Sequence, residues 1–450
     1  MNIIYVSLDT LRADHVSCYG YGRDTTPTMD GLAVEGVLFE RAYPSDIPTQ
    51  PSYTALLSGR RGLKTGVVSH HVDEQLEDSV PVFPEVLARA GYRTGAVSTL
   101  YHMKKYFARG FDSYLNPVAG ERGLVQRVTA EQINQWAIPW LRANREQRFF
   151  LFVHYWDPHT VYLPPPEYRS LYYSGNPSDP ENRSLARVQD LMIYPFIKRL
   201  LNAIGENITD FEYVIAQYDA EIRYTDDKLG ELLRAVEDLG LRDDTAIIVS
   251  SDHGESMGEH DVYFDHASVH EHTARVPLII CHPEIAGGKR VEALVQQFDV
   301  VPTIFEWLEV EPPEGLQGNS LNPLLRGETT DHYDAVFTNQ GLWQATRMIR
   351  TRQWKLIRTI DPGLWAHRPC TELYDLERDP KEERNVAEER PEMVDQLELR
   401  LDRWVEEELG SRPDPLRVVA AKGLPPKAWL ARLIEQDRGT YDEWRRRMGW

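Results

Sequence analysis

The sequence predicts an α/β protein: a large mixed, mostly parallel sheet sandwiched by helices, followed by a smaller α+β part on an antiparallel sheet. Three observations carry this. Short apolar, β-branched runs such as Ile3–Leu8, Phe149–His154 and Thr245–Ser250 read as strands buried on both faces. Segments with helical start and stop signals lie between them, an alternation that calls for parallel strands joined by crossover helices. After about residue 330 the alternation stops, and strand-like runs follow one another directly.

The elements follow in chain order. Ile3–Leu8 is a buried strand that runs straight into Asp9. Thr26-Pro27 starts a helix, a hydroxyl cap followed by proline where no backbone N–H is needed, and Gly36 ends it. Ser52–Leu57 starts another helix just after Thr49. Pro84–Ala90 is a helix closed by Gly91, and Arg93–Val97 is a strand. Gln126–Ala143 is helical and Phe149–His154 is a buried strand. Asp210–Leu239 is one long helix stopped by Gly240, and the strand Thr245–Ser250 again ends in charged residues. Ala335–Thr338 and Arg347–Thr359 read as short strands. Pro391–Leu409 is a helix with proline at its first position and Gly410 just past its end. The expected division is a large α/β domain over 1–330, an α+β subdomain over 331–409 and a helical tail over 410–450. The tail carries Trp429, Trp444 and Trp450 but little core of its own. It is expected to fold back on the body or to dock on a second copy of the chain.

Bulk properties narrow the class. The 450 residues are 42% hydrophobic and 27% charged, an ordinary globular profile. The net charge of −20 argues against a nucleic-acid partner, which wants a basic surface. No run approaches the roughly 20 apolar residues of a membrane span. The opening strand has neither a basic leader nor a cleavage site, so a cytoplasmic location is the expectation. Cys18, Cys281 and Cys370 are odd in number and far apart, and form neither a disulfide framework nor a metal motif.

Chemistry-bearing residues gather at strand ends and in adjacent loops. Asp9 follows the first strand. Pro48-Thr49-Gln50-Pro51-Ser52 leads into a helix. His159 stands beyond Phe149–His154, and Asp252-His253-Gly254-Glu255 beyond Thr245–Ser250, followed by His260, Asp265 and His266. In open α/β sheets ligands bind outside the carboxyl ends of the strands, so these groups are expected in one cleft. Two carboxylates and an imidazole suit a divalent transition metal. A hydroxyl beside it becomes a nucleophile, and a helix start at Thr49 favours an anionic substrate group. Histidines from other loops can neutralise the transferred group or protonate the leaving oxygen. His154, inside a strand, reads as a core or supporting histidine. His70 and His71 read as an exposed loop pair.

These residues resemble the sulfatase-like family of the alkaline-phosphatase superfamily, over most of residues 1–408. The resemblance is carried by Asp9-Thr10-Leu11-Arg12-Ala13-Asp14-His15 with Cys18-Tyr19-Gly20-Tyr21, and by Thr26-Pro27-Thr28-Met29-Asp30. Leu56-Leu57-Ser58-Gly59-Arg60 and Ser251-Asp252-His253-Gly254-Glu255 with Gly258-Glu259-His260 add to it. Val276-Pro277-Leu278, Trp354-Lys355-Leu356 and Glu372-Leu373-Tyr374-Asp375-Leu376 complete it. It implies an alkaline-phosphatase-like fold and a metal-dependent ester hydrolase.

The departures set the expected chemistry. Sulfatases of this type carry Cys-x-Pro-x-Arg, whose cysteine becomes formylglycine; here the stretch is Thr49-Gln50-Pro51-Ser52-Tyr53. The lysine and histidine usual after Gly-Tyr-Arg-Thr are missing at that spacing, where Gly95–Thr99 follows. The paired aspartates of a calcium site are Asp9-Thr10, and the aspartate–asparagine pair is Asp252-His253. The resemblance therefore runs toward the threonine-nucleophile branches: nucleotide pyrophosphatases, phosphoethanolamine transferases and phosphonate monoester hydrolases. It implies one metal bound by Asp9, Thr49, Asp252 and His253, Mn²⁺ or Zn²⁺ rather than Ca²⁺, with room for a second. Thr49, His159 and His266 would be catalytic, and His159, His266 and His70 would contact a small anionic ester. The expected reaction is hydrolysis of a phosphate or phosphonate ester through a phosphothreonine at Thr49. Hydrolysis of a sulfate ester without formylglycine, or anion binding without turnover, are the alternatives. Aromatic and proline-rich Tyr162–Tyr173 is the expected wall for an apolar leaving group, with Asn116–Gln126, Tyr162–Leu201 and the tail as the variable surroundings.

Overall fold

The computed structural model describes residues 1–425 except 71–72 and 118–127, and beyond them residues 430–431, 434–435, 438–439, 442 and 446. The first strand, β1 (Asn2–Leu8), is buried along its whole length. Its side chains alternate between two cores. Ile4, Val6 and Leu8 enter one, and Ile3 and Tyr5 the other. A strand covered on both faces needs apolar residues at every position, which explains the unbroken run in the sequence.

The main sheet has eight strands. After β1 come β2 (Val37–Tyr43), then, past a short β3 (Asp46–Ile47), β4 (Arg93–Val97), β5 (Ser113–Leu115), β6 (Phe149–Tyr155) and β7 (Thr245–Ser250). A two-stranded hairpin of β8 (Ser256–Met257) and β9 (Tyr263–Asp265) precedes β10 (Leu278–Cys281) and β11 (Lys289–Gln296). The spatial order is β11-β2-β10-β7-β1-β6-β4-β5. All neighbours are parallel except β10, which runs antiparallel to both β7 and β2. The sheet is mixed and mostly parallel, with helices on both faces, as the alternation of elements predicts. The central strands β7, β1 and β6 run side by side in register, so residues just past their ends share one edge.

The second sheet is built from β12 (Ala335–Gly341), β13 (Ala345–Thr351), β14 (Trp354–Asp361) and β15 (Thr371–Asp375), all antiparallel. It also takes in β3, parallel to β12, so the segment just before Thr49 is held by the C-terminal part of the chain. Helix Pro391–Leu409 packs on it through Leu397, Leu401 and Trp404. The first part of the tail folds back on this body: helix Pro415–Lys422 seats Leu416 and Val419 against Val68 and Ala345, and Asp414 pairs with buried Arg347 at 3.0 Å. The three tryptophans of the tail lie outside the described residues.

Candidate active site

Asp9 leaves the end of β1 fully buried. Its Oδ2 lies 3.0 Å from His154 Nε2, on the neighbouring strand β6. His154 is also buried, and burial holds its pKa down to about 4, so it is a neutral ring donating to the carboxylate. Asp9 Oδ1 has no hydrogen-bond partner among the described residues. Asp252, past the end of β7, uses Oδ1 to accept the N–H groups of Thr10 (3.1 Å) and His253 (3.0 Å). Its Oδ2 likewise lacks a hydrogen bond there.

His253 fixes the character of the cluster. Its Nδ1 donates to the carbonyl of Gly254 at 2.9 Å, an atom that can only accept. Burial lowers its pKa, so Nε2 carries a lone pair rather than a proton. That lone pair faces Asp252 Oδ2 and the Thr49 hydroxyl, each at 3.2 Å. Asp9, Asp252 and His253 each bring a ligand atom within 4.8 Å of the others, all buried. Burial, followed by the nearby charges of Asp252 and Glu255, pushes the Asp9 carboxyl well above the usual range. Orphaned buried carboxylate oxygens converging with an imidazole lone pair fit a divalent cation.

Thr49 is the first residue of helix Thr49–Ser58, with Pro48 as its extended N-cap. The expected start at Ser52 is three residues late. Pro51 looks like a breaker, but in the first turn its missing N–H has no partner to lose. The helix is tied to the metal-type cluster by Ser52 Oγ, which donates to the Asp252 carbonyl at 2.9 Å. Its open N-terminal N–H groups make a fitting seat for an anion.

Thr49 opens into a cavity of about 430 Å³. His70, His159, His266 and Lys104 give it polar edges, while Trp156, Phe196, Leu200, Phe264 and Trp343 supply apolar walls. His266 lies over His253, ring centroids 4.3 Å apart, with Nδ1 3.4 Å from Glu255 Oε1. His159 donates Nδ1–H to the Thr160 carbonyl at 2.8 Å and stacks on Trp156. Burial depresses both rings to about 4. His70 is half-buried and lines the cavity rather than standing exposed in a loop; its neighbour His71 lies outside the described residues.

Asp9, Thr49, Asp252, His253, His70, His159 and His266 thus meet at this edge of the sheet, whereas His260, expected in the same cleft, stacks on His270 away from the cavity. Others had no assigned role, Lys104, Arg199 and Glu255 among them. Lys104 lines the cavity, so a lysine does reach it from beyond β4, at a longer spacing than the motif suggested. Glu255 is fully buried between Thr160 Oγ1, at 3.1 Å, and His266. Its place in Asp252-His253-Gly254-Glu255 was the available signal. The expected leaving-group wall at Tyr162–Tyr173 is corrected: Tyr162 is buried in the core, and the cavity is lined by Thr160, just before that segment, rather than by the segment itself. The apolar wall comes from Phe196 and Leu200, inside the wider expected stretch Tyr162–Leu201, and from Trp156, Phe264 and Trp343.

Comparison with known proteins gives the same frame. The family model described as Sulfatase matches residues 1–310, and that described as N-sulphoglucosamine sulphohydrolase, C-terminal, matches 258–407. An N-acetylglucosamine-6-O-sulfatase of Bacteroides thetaiotaomicron is 26% identical, over 94% of this chain and 89% of that protein. A choline-sulfatase of Rhizobium meliloti is also 26% identical, over 83% and 80%. Among solved structures, the phosphonate monoester hydrolase of Agrobacterium radiobacter superposes with a TM-score of 0.70 at 22% identity, over 91% of this chain and 96% of that one. With a match over more than two thirds of its length and the strand-end cluster in place, the chain belongs to the sulfatase family and is a hydrolase of ester bonds.

Proposed function

We propose that this chain hydrolyses phosphate or phosphonate esters through a covalent intermediate on Thr49. The observation that carries the reading is the Thr49 hydroxyl, at a helix N-terminus, 3.2 Å from the lone pair of His253 Nε2. A divalent cation of the Mn²⁺ or Zn²⁺ class, held by Asp9, Asp252 and His253 with Thr49 beside it, would acidify that hydroxyl and offset charge on the non-bridging oxygens. Thr49 Oγ1 forms the bond to phosphorus as the bond to the leaving oxygen breaks in line. The hydroxyl proton ends on the leaving oxygen, with His266 or His159 as carrier. His266 is the better placed, since the Glu255 carboxylate beside it steadies a transient imidazolium. Water then attacks phosphorus and restores the Thr49 hydroxyl. Lys104 and His70 would hold the anionic group, and the apolar walls favour an aromatic or alkyl leaving group.

Phosphorus is preferred to sulfur on the residues present. A formylglycine hydrate expels sulfate by collapsing to an aldehyde; a threonine ester has no such exit and requires attack by water. The second reading, sulfate-ester hydrolysis, is favoured by the names of the relatives. Catalytic efficiency on matched aryl phosphodiester, phosphomonoester, phosphonate and sulfate esters separates the two. Replacing Thr49 by alanine should lower turnover on the best of them by about 10³-fold or more. Wild-type turnover in that variant would refute the nucleophile assignment. A higher kcat/KM for the sulfate would overturn the phosphorus preference.

A further inference from the structure

A second histidine cluster stands apart from the cavity. We propose that His260, His270 and Glu372 form a second divalent-metal site of the zinc class, with His272 as a neighbouring donor, clamping the active-site loop to the second sheet. His260, His270 and Glu372 each bring a ligand atom within 4.8 Å of the others, as do His260, His272 and Glu382. Two imidazoles and a carboxylate are donors that zinc takes readily, while His272, grouped with His260 and Glu382, already shares its Nε2 with Ser256 Oγ at 2.8 Å.

The surroundings select the first triad. Glu382 is already neutralised by Lys355, whose Nζ is 3.0 Å from it and 3.1 Å from Glu271. Glu372 instead faces His270 Nε2 across 3.2 Å, about the spacing of two ligands on one tetrahedral zinc with legs near 2.0–2.1 Å. The other nitrogen of His270 is held by Ser268 Oγ at 2.7 Å, and Glu372 is held by the Tyr374 hydroxyl at 2.6 Å. Such outer hydrogen bonds are what orient metal ligands. His260 stacks on His270 at 3.6 Å, and no described group hydrogen-bonds to its ring nitrogens, so a small rotation brings one to the ion. It is half-buried, leaving a way in, and its backbone sits in the left-handed region (φ 53°, ψ 36°). Burial lowers the pKa of all three rings, which keeps them neutral as ligands must be. Two cations oppose an ion here: Arg368, which donates to the His260 carbonyl, and Lys355; both also face Glu372.

The placement gives the site a purpose. His260 lies in the turn of the β8–β9 hairpin, whose end carries Asp265 and His266 into the cavity. His272 precedes Thr273, whose carbonyl accepts from Gly254 N at 2.7 Å, next to His253. A Cβ on Gly254 would stand 2.1 Å from the His272 carbonyl oxygen, so the two loops touch as closely as glycine permits. Glu372 is on β15 of the other sheet. An ion here would pin the loop that bears His253 and His266 to the C-terminal body.

The test is zinc stoichiometry and thermal stability of the full-length protein, stripped with chelator and reloaded with Zn²⁺. The wild type should hold two equivalents. Asp252→Asn should keep the second one, and adding His270→Ala should remove it. His260→Asn is the companion variant, because asparagine tolerates the left-handed backbone. It should fold with a melting point close to wild type without zinc, yet lose one equivalent and part of the zinc-dependent rise in melting temperature. If Asp252→Asn binds no zinc, or if His260→Asn and His270→Ala both leave the stoichiometry unchanged, the second site is refuted. These readouts do not depend on which ester is cleaved.

Discussion

His154 shows how a single buried residue can serve a site without entering it. It occupies a strand position that would ordinarily take an apolar side chain, and its ring is kept neutral by that burial. One nitrogen faces Ser98 Oγ at 3.2 Å and the other faces Asp9 at 3.0 Å. The effect is to fix one oxygen of Asp9 and leave the other aimed at the cluster. Supporting hydrogen bonds of this kind are typically worth about 10–100-fold in metal affinity. His154→Gln, which can still donate, should bind Mn²⁺ or Zn²⁺ at the Asp9 cluster close to wild type. His154→Leu should bind about 10–100-fold more weakly, measured by titration into chelator-stripped protein. Equal affinity in the two variants would show that the hydrogen bond does not position Asp9. Asp299 carries a contrasting lesson. It precedes helix Val300–Leu308 and looks like its cap, yet its carboxylate makes no cap bond there and gathers Gln296 N, Asn319 N and the Tyr333 hydroxyl instead.

The element scale repeats that pattern in helix Pro27–Glu35. Thr26 and Pro27 mark its start correctly, but Thr26 makes no cap bond to it; its hydroxyl accepts from Ser17 N at 2.9 Å. The helix is capped across the fold by Asp226, from helix Phe211–Asp238, which accepts from Thr28 N at 2.7 Å and Met29 N at 3.0 Å. Burial outweighs those bonds and pushes the Asp226 carboxyl up to about 7. A carboxyl raised in the folded state favours folding when protonated, and that advantage is lost as pH rises from its unfolded value near 4 through 7. Wild-type stability should therefore gain roughly 1–3 kcal/mol over Asp226→Asn on going from pH 8 to pH 5, read from denaturant unfolding. A constant difference would contradict the shift. Start and stop signals are local, so the strands Arg93–Val97 and Thr245–Ser250 and the helix Pro391–Leu409 were legible to the residue. A cap supplied from 198 residues away, and the pairing of β3 with β12, are tertiary and leave no local trace. The site divides the same way. Asp9, Thr49 and the Asp252–His253 pair sit at strand or helix ends that the pattern locates. Lys104 and the walls Phe196 and Trp343 come from loops and a helix whose approach only the fold determines.

For the whole molecule, the sheet edge gathers more buried negative charge than protein groups neutralise. Asp9, Asp252 and Glu255 are all fully buried, and Asp9 Oδ1 and Asp252 Oδ2 lack hydrogen bonds among the described residues. A cation at this point should therefore be a component of stability as well as of chemistry. At a free concentration 100-fold above its dissociation constant it would contribute about 2.7 kcal/mol, a few degrees in melting temperature for a chain of this size. The pH dependence follows from the direction of the Asp9 shift, which is upward. Without a cation, the raised carboxyl costs stability when ionised, so the stripped protein should become more stable as pH falls from 8 toward 5. With a cation, protons compete for the same ligand atoms, and the bound form should lose its advantage over that range. The gap in melting temperature between loaded and stripped protein should accordingly be widest near pH 8 and narrow toward pH 5. Measuring it by calorimetry in the His260→Asn background confines the readout to the Asp9, Asp252 and His253 cluster. A gap that stays constant with pH would mean that these carboxylates are not what the cation neutralises, and the assignment of the cluster as its seat would fail.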